Sequence, residues 1–262
     1  MFSHFVFPQI NPIAINIMGF SIFWYGILYC FGLMLAWNYA RKMVDRFHID
    51  LGTFDGLLTP LILGVIIGAR LGFCIFYDWD SIIQNPLKIL EIRGGGMSFH
   101  GGMVGLILFL IYYSKKTNLS FWKYSDLIST CAPIGLFFGR IGNLINMEHY
   151  GRVSDLPWSM IFLQVDTLSR HPSQIYEALL EGLFLAFILH VLFKKYKNVG
   201  DGFLSFVFLI LYGLLRSFCE LFRTPDGESL VLGIHFTAGQ ILSLPMILLG
   251  ILGIYRKCIL KK

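Results

Sequence analysis

Charge is scarce in this 262-residue chain: Asp, Glu, Lys and Arg make up 14% of it, against 56% apolar residues. With a mean hydropathy of +0.67, this excludes an ordinary soluble domain, in which about a quarter of the residues are charged. The first 18 residues hold no Lys or Arg and no small-residue cleavage site follows, so no removable signal peptide is expected. Cys30, Cys74, Cys131, Cys219 and Cys258 are odd in number and show neither CxxC nor zinc spacing. They suit small packing positions, with Cys219 set apart by lying between Arg216 and Glu220. No HExxH, carboxylate cluster or nucleotide loop is present, so no metal and no cofactor is expected. Gly94-Gly95-Gly96 is too weak a pattern for a phosphate loop and suits a flexible turn. There is no internal repeat, which argues against inverted-repeat transporters.

What the chain does have is a series of long apolar runs. Windows of the length needed to cross a bilayer, about 20 residues, fall near 20–40, 55–77, 97–114, 121–142, 174–193, 203–223 and 236–255. Alternating the connections places Arg41, Lys42, Arg46, Lys115, Lys116, Lys123, Lys194, Lys195, Lys197, Arg256, Lys257, Lys261 and Lys262 on one side. The other side holds only Lys88, Arg93, Arg152 and Arg170. The positive-inside rule then puts the N-terminus outside and the C-terminus in the cytoplasm. The net charge of +5 is thus a topology signal, and no nucleic-acid partner is implied. The expected fold is an all-α integral membrane protein: one polytopic domain over 1–262, seven transmembrane helices, and a small periplasmic cap formed by 143–173. The segment Pro86–Leu90 suits a short amphipathic piece at the interface. Gly64, Gly68 and Gly72, Gly101 with Gly105, and Gly135 with Gly139 recur at the spacing that lets helix backbones approach.

This topology gathers the polar residues of the spans at one depth, in the outer half. Arg70, His100, Arg140, Arg216, Glu220 and Arg223 all fall there, with Trp24 and Tyr25 at the same level. A charge at the centre of a bilayer costs about 2.5–3.5 kcal/mol on insertion scales, so such residues face partners, water or substrate. Each has a plainer reading. Arg216 and Glu220, four apart, fit a structural ion pair; Arg223 suits snorkelling to the interface; Trp24 suits an aromatic belt; His100 suits an interior hydrogen-bonded ring. Arg140 followed by Asn143, Asn146, Glu148 and Gly151 has no comparably simple structural explanation.

Arginine's planar fork matches phosphate oxygens and stays charged when desolvated. Histidine transfers protons near neutral pH. Together they point to chemistry on an anionic phospholipid headgroup taken from the lipid bilayer. The run His171-Pro172-Ser173-Gln174-Ile175-Tyr176-Glu177 opens the fifth span, where Pro and Ser suit a helix start, and Gln174, Tyr176 and Glu177 suit a substrate entrance. A transporter or scramblase, guiding the same headgroup across the membrane, is the competing class; its site belongs near the midplane and open to both sides.

Phe99-His100-Gly101-Gly102-Met103, Gly139-Arg140 through Asn143, Asn146, Glu148 and Gly151, the His171–Glu177 run, and Arg216 through Glu220 to Arg223-Thr224-Pro225-Asp226 resemble the bacterial prolipoprotein diacylglyceryl transferase family. The resemblance extends from Phe7-Pro8 and Trp24-Tyr25-Gly26 to Gly239-Gln240-Ile241-Leu242-Ser243. Departures are Met147 where the family commonly has glycine, His149 where it has leucine or a similar residue, and Leu144 where phenylalanine is frequent. The resemblance implies a multi-pass protein of the bacterial cytoplasmic (inner) membrane with its site facing the outer leaflet. The implied reaction moves a diacylglyceryl group from phosphatidylglycerol to the lipobox cysteine of a prolipoprotein signal peptide, leaving glycerol phosphate. His100, Arg140, Arg216, Glu220 and Glu148 are the catalytic candidates; Arg140, Asn143, Asn146, Gly151, Tyr25 and Arg223 are the substrate-binding ones. His100 and Glu148 are rival bases for the thiol.

Overall fold

The computed structural model describes residues 5–91, 96–196, 201–225, 228–231 and 234–259. Arg93, Gly94, Gly95, Lys197, Asp226, Lys261 and Lys262 lie outside the described residues. In chain order the elements begin with strands β1 (Phe5–Val6), β2 (Ile13–Ile17) and β3 (Phe20–Phe23). Helices α1 (Trp24–Arg41), α2 (Leu51–Gly56), α3 (Leu58–Phe76), α4 (Trp79–Gln84), α5 (Phe99–Thr117) and α6 (Phe121–Ile145) follow. After β4 (Met160–Ile161) and β5 (Ser169–Arg170), α7 (Ser173–Glu177) runs through a π-helical segment (Ala178–Phe184) into α8 (Leu185–Lys195). Then come α9 (Phe203–Cys219), β6 (Glu228–Val231), β7 (Ile234–Thr237) and α10 (Ala238–Ile254).

Four helical stretches are long and apolar enough to cross a membrane among the described residues: Leu51–Phe76, Phe121–Ile145, Ser173–Lys195 and Ala238–Lys257. Helix α9 is a shorter apolar helix; its 17 residues rise about 25 Å against a hydrocarbon core of about 30 Å. Helices α1 and α5 occupy the remaining two apolar windows, with hydropathy diluted by Asn38 and Arg41 in one and by His100, Lys115 and Lys116 in the other. Large apolar side chains stand exposed along the helices, among them Leu244, Leu248, Leu249 and Leu252 of α10. On this scale, exposed apolar surface marks a membrane-embedded protein.

Contacts divide the chain into two compact units, residues 41–125 and residues 1–40 with 126–262. In the smaller unit, α3 and α5 pack backbone to backbone. A Cβ added to Gly68 would stand 2.4 Å from the Gly101 carbonyl oxygen, so the glycine spacing read from the sequence does bring these helices together. The Ser98 hydroxyl caps α5 by accepting from the Gly101 N–H at 3.3 Å. Arg70 of α3 is buried and donates to the carbonyls of Ile89 and Gly96, both at 3.0 Å, and of Lys88. It thereby clasps the Pro86–Leu90 turn, which forms a short 3-10 helix with Leu87 and Leu90 exposed.

In the larger unit, buried Asp126 of α6 accepts from the Gly202 N–H at 2.7 Å, the Ser205 N–H at 2.8 Å and the Ser205 hydroxyl at 2.7 Å. These are the orphan donors at the start of α9, satisfied by a side chain from another helix. Thr237 and Gln240 form a capping box that starts α10. The glycine pair on α6 behaves unlike that of α3 and α5: among the described residues Gly139 has nothing within 4 Å of an added Cβ, and Gly135 only an ordinary contact. The 143–173 region carries a small core of Phe7, Met147 and Phe162. There β1 pairs parallel with β4, and β4 antiparallel with β5, so the N-terminal strand completes the cap. Two β-hairpins, β2–β3 and β6–β7, add strand to a mainly helical chain.

Candidate active site

A cleft of about 490 Å³ opens in the larger unit, lined by Ile22, Phe23, Tyr25, Gly26, Asn143, Asn146, Glu148 and His149. The end of β3 and the start of α1 form one wall; the end of α6 and the turn after it form the other. The walls approach closely: a Cβ on Gly142 would stand 2.7 Å from the Tyr25 ring, so only glycine admits the tyrosine here. The amides of Asn143 and Asn146 donate to the Glu148 carboxylate at 3.2 and 3.4 Å. Glu148 is exposed into the cleft with its charge directed by two neutral donors.

The turn carrying Glu148 is held in an unusual shape. Met147 and His149 both adopt left-handed backbone, at φ 54° and 57°. For a non-glycine residue this costs about 1–2 kcal/mol and persists only where surroundings over-determine it. The surroundings are visible. The Met147 side chain is buried in the cap core, the Gln174 amide donates to the Glu148 carbonyl at 2.7 Å, and the Ser173 hydroxyl donates to the His149 carbonyl at 2.7 Å. A left-handed angle favours glycine; here the burial of the methionine side chain offsets the strain. Ser173 and Gln174 thus bind the rear of the cleft.

Behind the turn lies a network of three arginines and three glutamates. Arg140 of α6 meets Glu177 of α7 at 3.2 Å and Glu181 of the π-helical segment at 2.9 Å. Arg216 of α9 pairs with Glu177 and, one turn on, with Glu220; it also lies 3.5 Å from Glu181. Arg223 lies 3.5 Å from Glu220 and 3.8 Å from Glu177. It reaches the cleft by donating to His149 Nδ1 at 2.5 Å. Since arginine only donates, that nitrogen accepts. Glu177 and Glu181 are fully buried, while Arg140 and Arg216 keep 16% and 12% of their side-chain surface exposed. Three cations face three carboxylates, which is how charge survives inside an apolar bundle, although among the described residues Glu177 Oε2 and Glu181 Oε1 are held by charge and make no hydrogen bond. A Cβ on Gly239 would stand 2.6 Å from the Glu220 carboxylate, so α10 contributes a glycine to make room for it.

The cap braces this arrangement. Gly151 pairs across to Arg223, and a Cβ there would collide with the His171 carbonyl at 2.3 Å. The Arg152 guanidinium donates to the Arg223 carbonyl at 3.0 Å. Arg170 binds Asp166 at 2.5 Å and the Gly151 carbonyl at 3.1 Å. That bond holds the Asp166 carboxyl below the usual carboxylate range, and burial pushes the His171 imidazole below its ordinary value. The Tyr176 hydroxyl accepts from the Trp158 indole at 2.7 Å.

Tyr25, Asn143, Asn146 and Glu148 therefore share one cleft, and Arg140, Arg216, Glu220 and Arg223 share the network behind it. Gly151 stands at the junction of cap and α9, outside the cleft lining. His100 is exposed in the first turn of α5, in the smaller unit. Two expectations change. Arg223 is buried in ion pairs, because the Gly151 bridge and His149 hold it inward, and it does not snorkel. Glu177 lies in the network and Gln174 is fully buried against the Glu148 turn, so neither lies at an entrance surface. Glu181 and His149 carry partners that the sequence reading did not assign them. The signal for Glu181 was present: a second carboxylate one helical turn beyond Glu177, inside an apolar run. Among the described residues no group of three or more His, Cys, Asp or Glu side chains is arranged to hold a metal ion.

Comparison with known proteins identifies the family. The profile of the family described as "Prolipoprotein diacylglyceryl transferase" matches residues 12–256. The chain is 42% identical to a protein of Allorhizobium ampelinum named phosphatidylglycerol--prolipoprotein diacylglyceryl transferase, over 98% of this chain and 93% of the relative. Identically named proteins of Wolbachia pipientis wMel and Polynucleobacter asymbioticus are each 43% identical, over 93% and 94% of this chain and 94% and 95% of theirs. Similarity of this extent, covering every residue of the cleft and network, makes the chain a member of the prolipoprotein diacylglyceryl transferase family.

Proposed function

We propose that this chain transfers the diacylglyceryl group of phosphatidylglycerol to the lipobox cysteine thiol in a prolipoprotein signal peptide. The cysteine sulfur loses its proton and attacks the glyceryl carbon that bears the phosphate ester. A carbon–sulfur thioether bond forms, the carbon–oxygen bond to phosphate breaks, and glycerol phosphate leaves with the electron pair. A thiol of ordinary pKa about 8.5 needs a base, and the departing phosphate oxygen needs its charge stabilised.

The observation that carries the assignment of roles is the cleft of hydroxyl, amide and carboxylate groups backed by paired arginines. Tyr25, Asn143, Asn146 and Glu148 bind the hydroxyl-bearing headgroup. Arg140 and Arg216 take the phosphate, exchanging part of their carboxylate contacts for it, and Glu220 orients Arg216. Arg223 links this pair to the cleft through His149, and Gly151 seats the cap. His100 or Glu148 assists thiol deprotonation.

The site faces the outer leaflet of a bacterial cytoplasmic membrane, in a single polytopic domain of seven spans with the N-terminus outside. What supports this is the bias of thirteen basic residues to one set of connections, together with helices α1 and α5 in the two windows beyond the long apolar stretches and α9. The test is mass spectrometry of a lipobox peptide incubated with the purified protein and phosphatidylglycerol. A thioether-linked diacylglyceryl adduct is expected; headgroup translocation with no adduct overturns the reading. Near-normal turnover in His100→Ala removes the histidine from the base role and leaves Glu148.

A further inference from the structure

We infer that Glu181 is a positioning residue for this reaction: its carboxylate sets the spacing of the Arg140 and Arg216 guanidiniums. The inference rests on the assignment of those two arginines to the phosphate. Four side chains form a cross-braced square. Glu181 Oε2 lies 2.9 Å from Arg140 Nη2 and its Oε1 3.5 Å from Arg216 Nη1. Glu177 Oε2 lies 3.2 Å from Arg140 Nη1, and its Oε1 also binds Arg216. Each carboxylate therefore spans both arginines, hydrogen-bonded to one and within ion-pair distance of the other. Two guanidiniums side by side repel, and a single bridging anion leaves each free to pivot about it; two bridges fix both.

The backbone is shaped to deliver this second bridge. Glu181 sits on the π-helical segment Ala178–Phe184, the kind of local widening that recurs at functional sites. The next residue, Gly182, lets that segment rest on α6: a Cβ there would stand 2.7 Å from Phe137 Cβ, about one turn before Arg140. The carboxylate is fully buried within an apolar stretch, where it is costly unless paired. Among the described residues its ion pairs are to Arg140 and Arg216 alone, and it does not line the cleft. Glu177, by contrast, also reaches Arg223. Glu181 thus acts through the two arginines and not on the lipid.

The experiment compares wild type, Glu181→Asp and Glu181→Gln as full-length protein in detergent, with phosphatidylglycerol and a lipobox peptide. Thioether formation gives kcat and the KM for phosphatidylglycerol, normalised to the folded fraction from thermal unfolding. Glu181→Asp keeps the counter-charge but withdraws the carboxylate by one methylene, so a role in charge balance alone would be rescued by it. The expected result is a fall in kcat per folded molecule of more than threefold in Glu181→Asp. In Glu181→Gln a larger fall is expected with KM unchanged or lowered, because one competitor for the arginines is gone. A kcat within threefold of wild type in Glu181→Asp overturns the proposal, including where Glu181→Gln does not fold. No adduct from wild type would instead reject the transferase reading itself.

Discussion

Arg70 and Arg140 look alike in sequence, each a lone arginine in an apolar helix, yet their surroundings differ in kind. Arg70 directs its guanidinium nitrogens to three backbone carbonyls of one loop. Arg140, with Arg216 and Arg223, faces carboxylates from α7, the π-helical segment and the end of α9. A carbonyl clasp cannot release its arginine without unravelling the loop that supplies the carbonyls. A carboxylate network can, because an incoming phosphate is an anion of the same kind as the one it displaces. The first arrangement ties structure together, and under the proposed function the second holds donors for exchange.

The sharpest way to break this comparison is to remove one arginine of the network. Arg140→Ala leaves Glu177 and Glu181 with one cation fewer, and removing one partner of a buried pair costs about 3–5 kcal/mol. Loss of a donor aimed at developing charge costs about 10²–10³-fold in kcat. Thermal unfolding and adduct formation should therefore both suffer; a variant that melts and turns over like wild type would show that the network holds neither fold nor substrate. Glu148→Gln should separate the two quantities. Its carboxylate is exposed, and since Asn143 and Asn146 donate to different carboxylate oxygens, one of them can still donate to the amide oxygen of glutamine. Melting should stay near wild type while kcat/KM falls about 10–100-fold, the worth of a hydrogen bond to a charged group.

Arg70→Met tests the other side. Losing the clasp should destabilise the protein by about 1.5–3 kcal/mol, seen as a lower melting temperature, with turnover per folded molecule within about twofold of wild type. An Arg70→Met protein that melts normally but has lost turnover would place Arg70 in the chemistry and erase the distinction between the two kinds of arginine.

The sequence could show that these arginines need partners but not which ones. Periodicity within one helix predicts Arg216 beside Glu220, and the structure has that pair. It cannot predict Arg140 beside Glu181, forty-one residues apart, because that depends on how a π-helical segment meets α6. The convergence of Tyr25 with Asn143, Asn146 and Glu148 was legible only through topology, since the two walls are far apart in sequence. The hairpins escaped for a different reason. Ile13-Ala14-Ile15-Asn16-Ile17 alternates with the period of a strand, but in so apolar a chain the alternation is hard to tell from the general background. The cap was legible as a polar interval; that Phe7 would complete its core was not, because one buried phenylalanine near the N-terminus carries no local signal.

The smallest expected effect lies in the cap, where the comparison continues at the surface. Asp166 and Arg170 form an ion pair like those of the network, but Asp166 is part-exposed, so water screens it and it tunes the cap without holding the site. The sign of its pH dependence follows from its depressed folded-state value. The unfolded chain binds the proton more readily, so the pair's stabilisation is present above the ordinary aspartate pKa of about 3.9 and is lost as pH falls through the lower folded value. Hydrogen exchange of the 151–171 amides should therefore show local protection in wild type that weakens on acidification below about pH 4. In Asp166→Asn that weakening should be smaller, because the variant has no carboxylate there to protonate. Arg170 also holds the Gly151 carbonyl, so the variant should keep part of the cap's order at neutral pH. Identical acid profiles in the two proteins would mean that the Gly151 contact, and not the ion pair, positions Arg170.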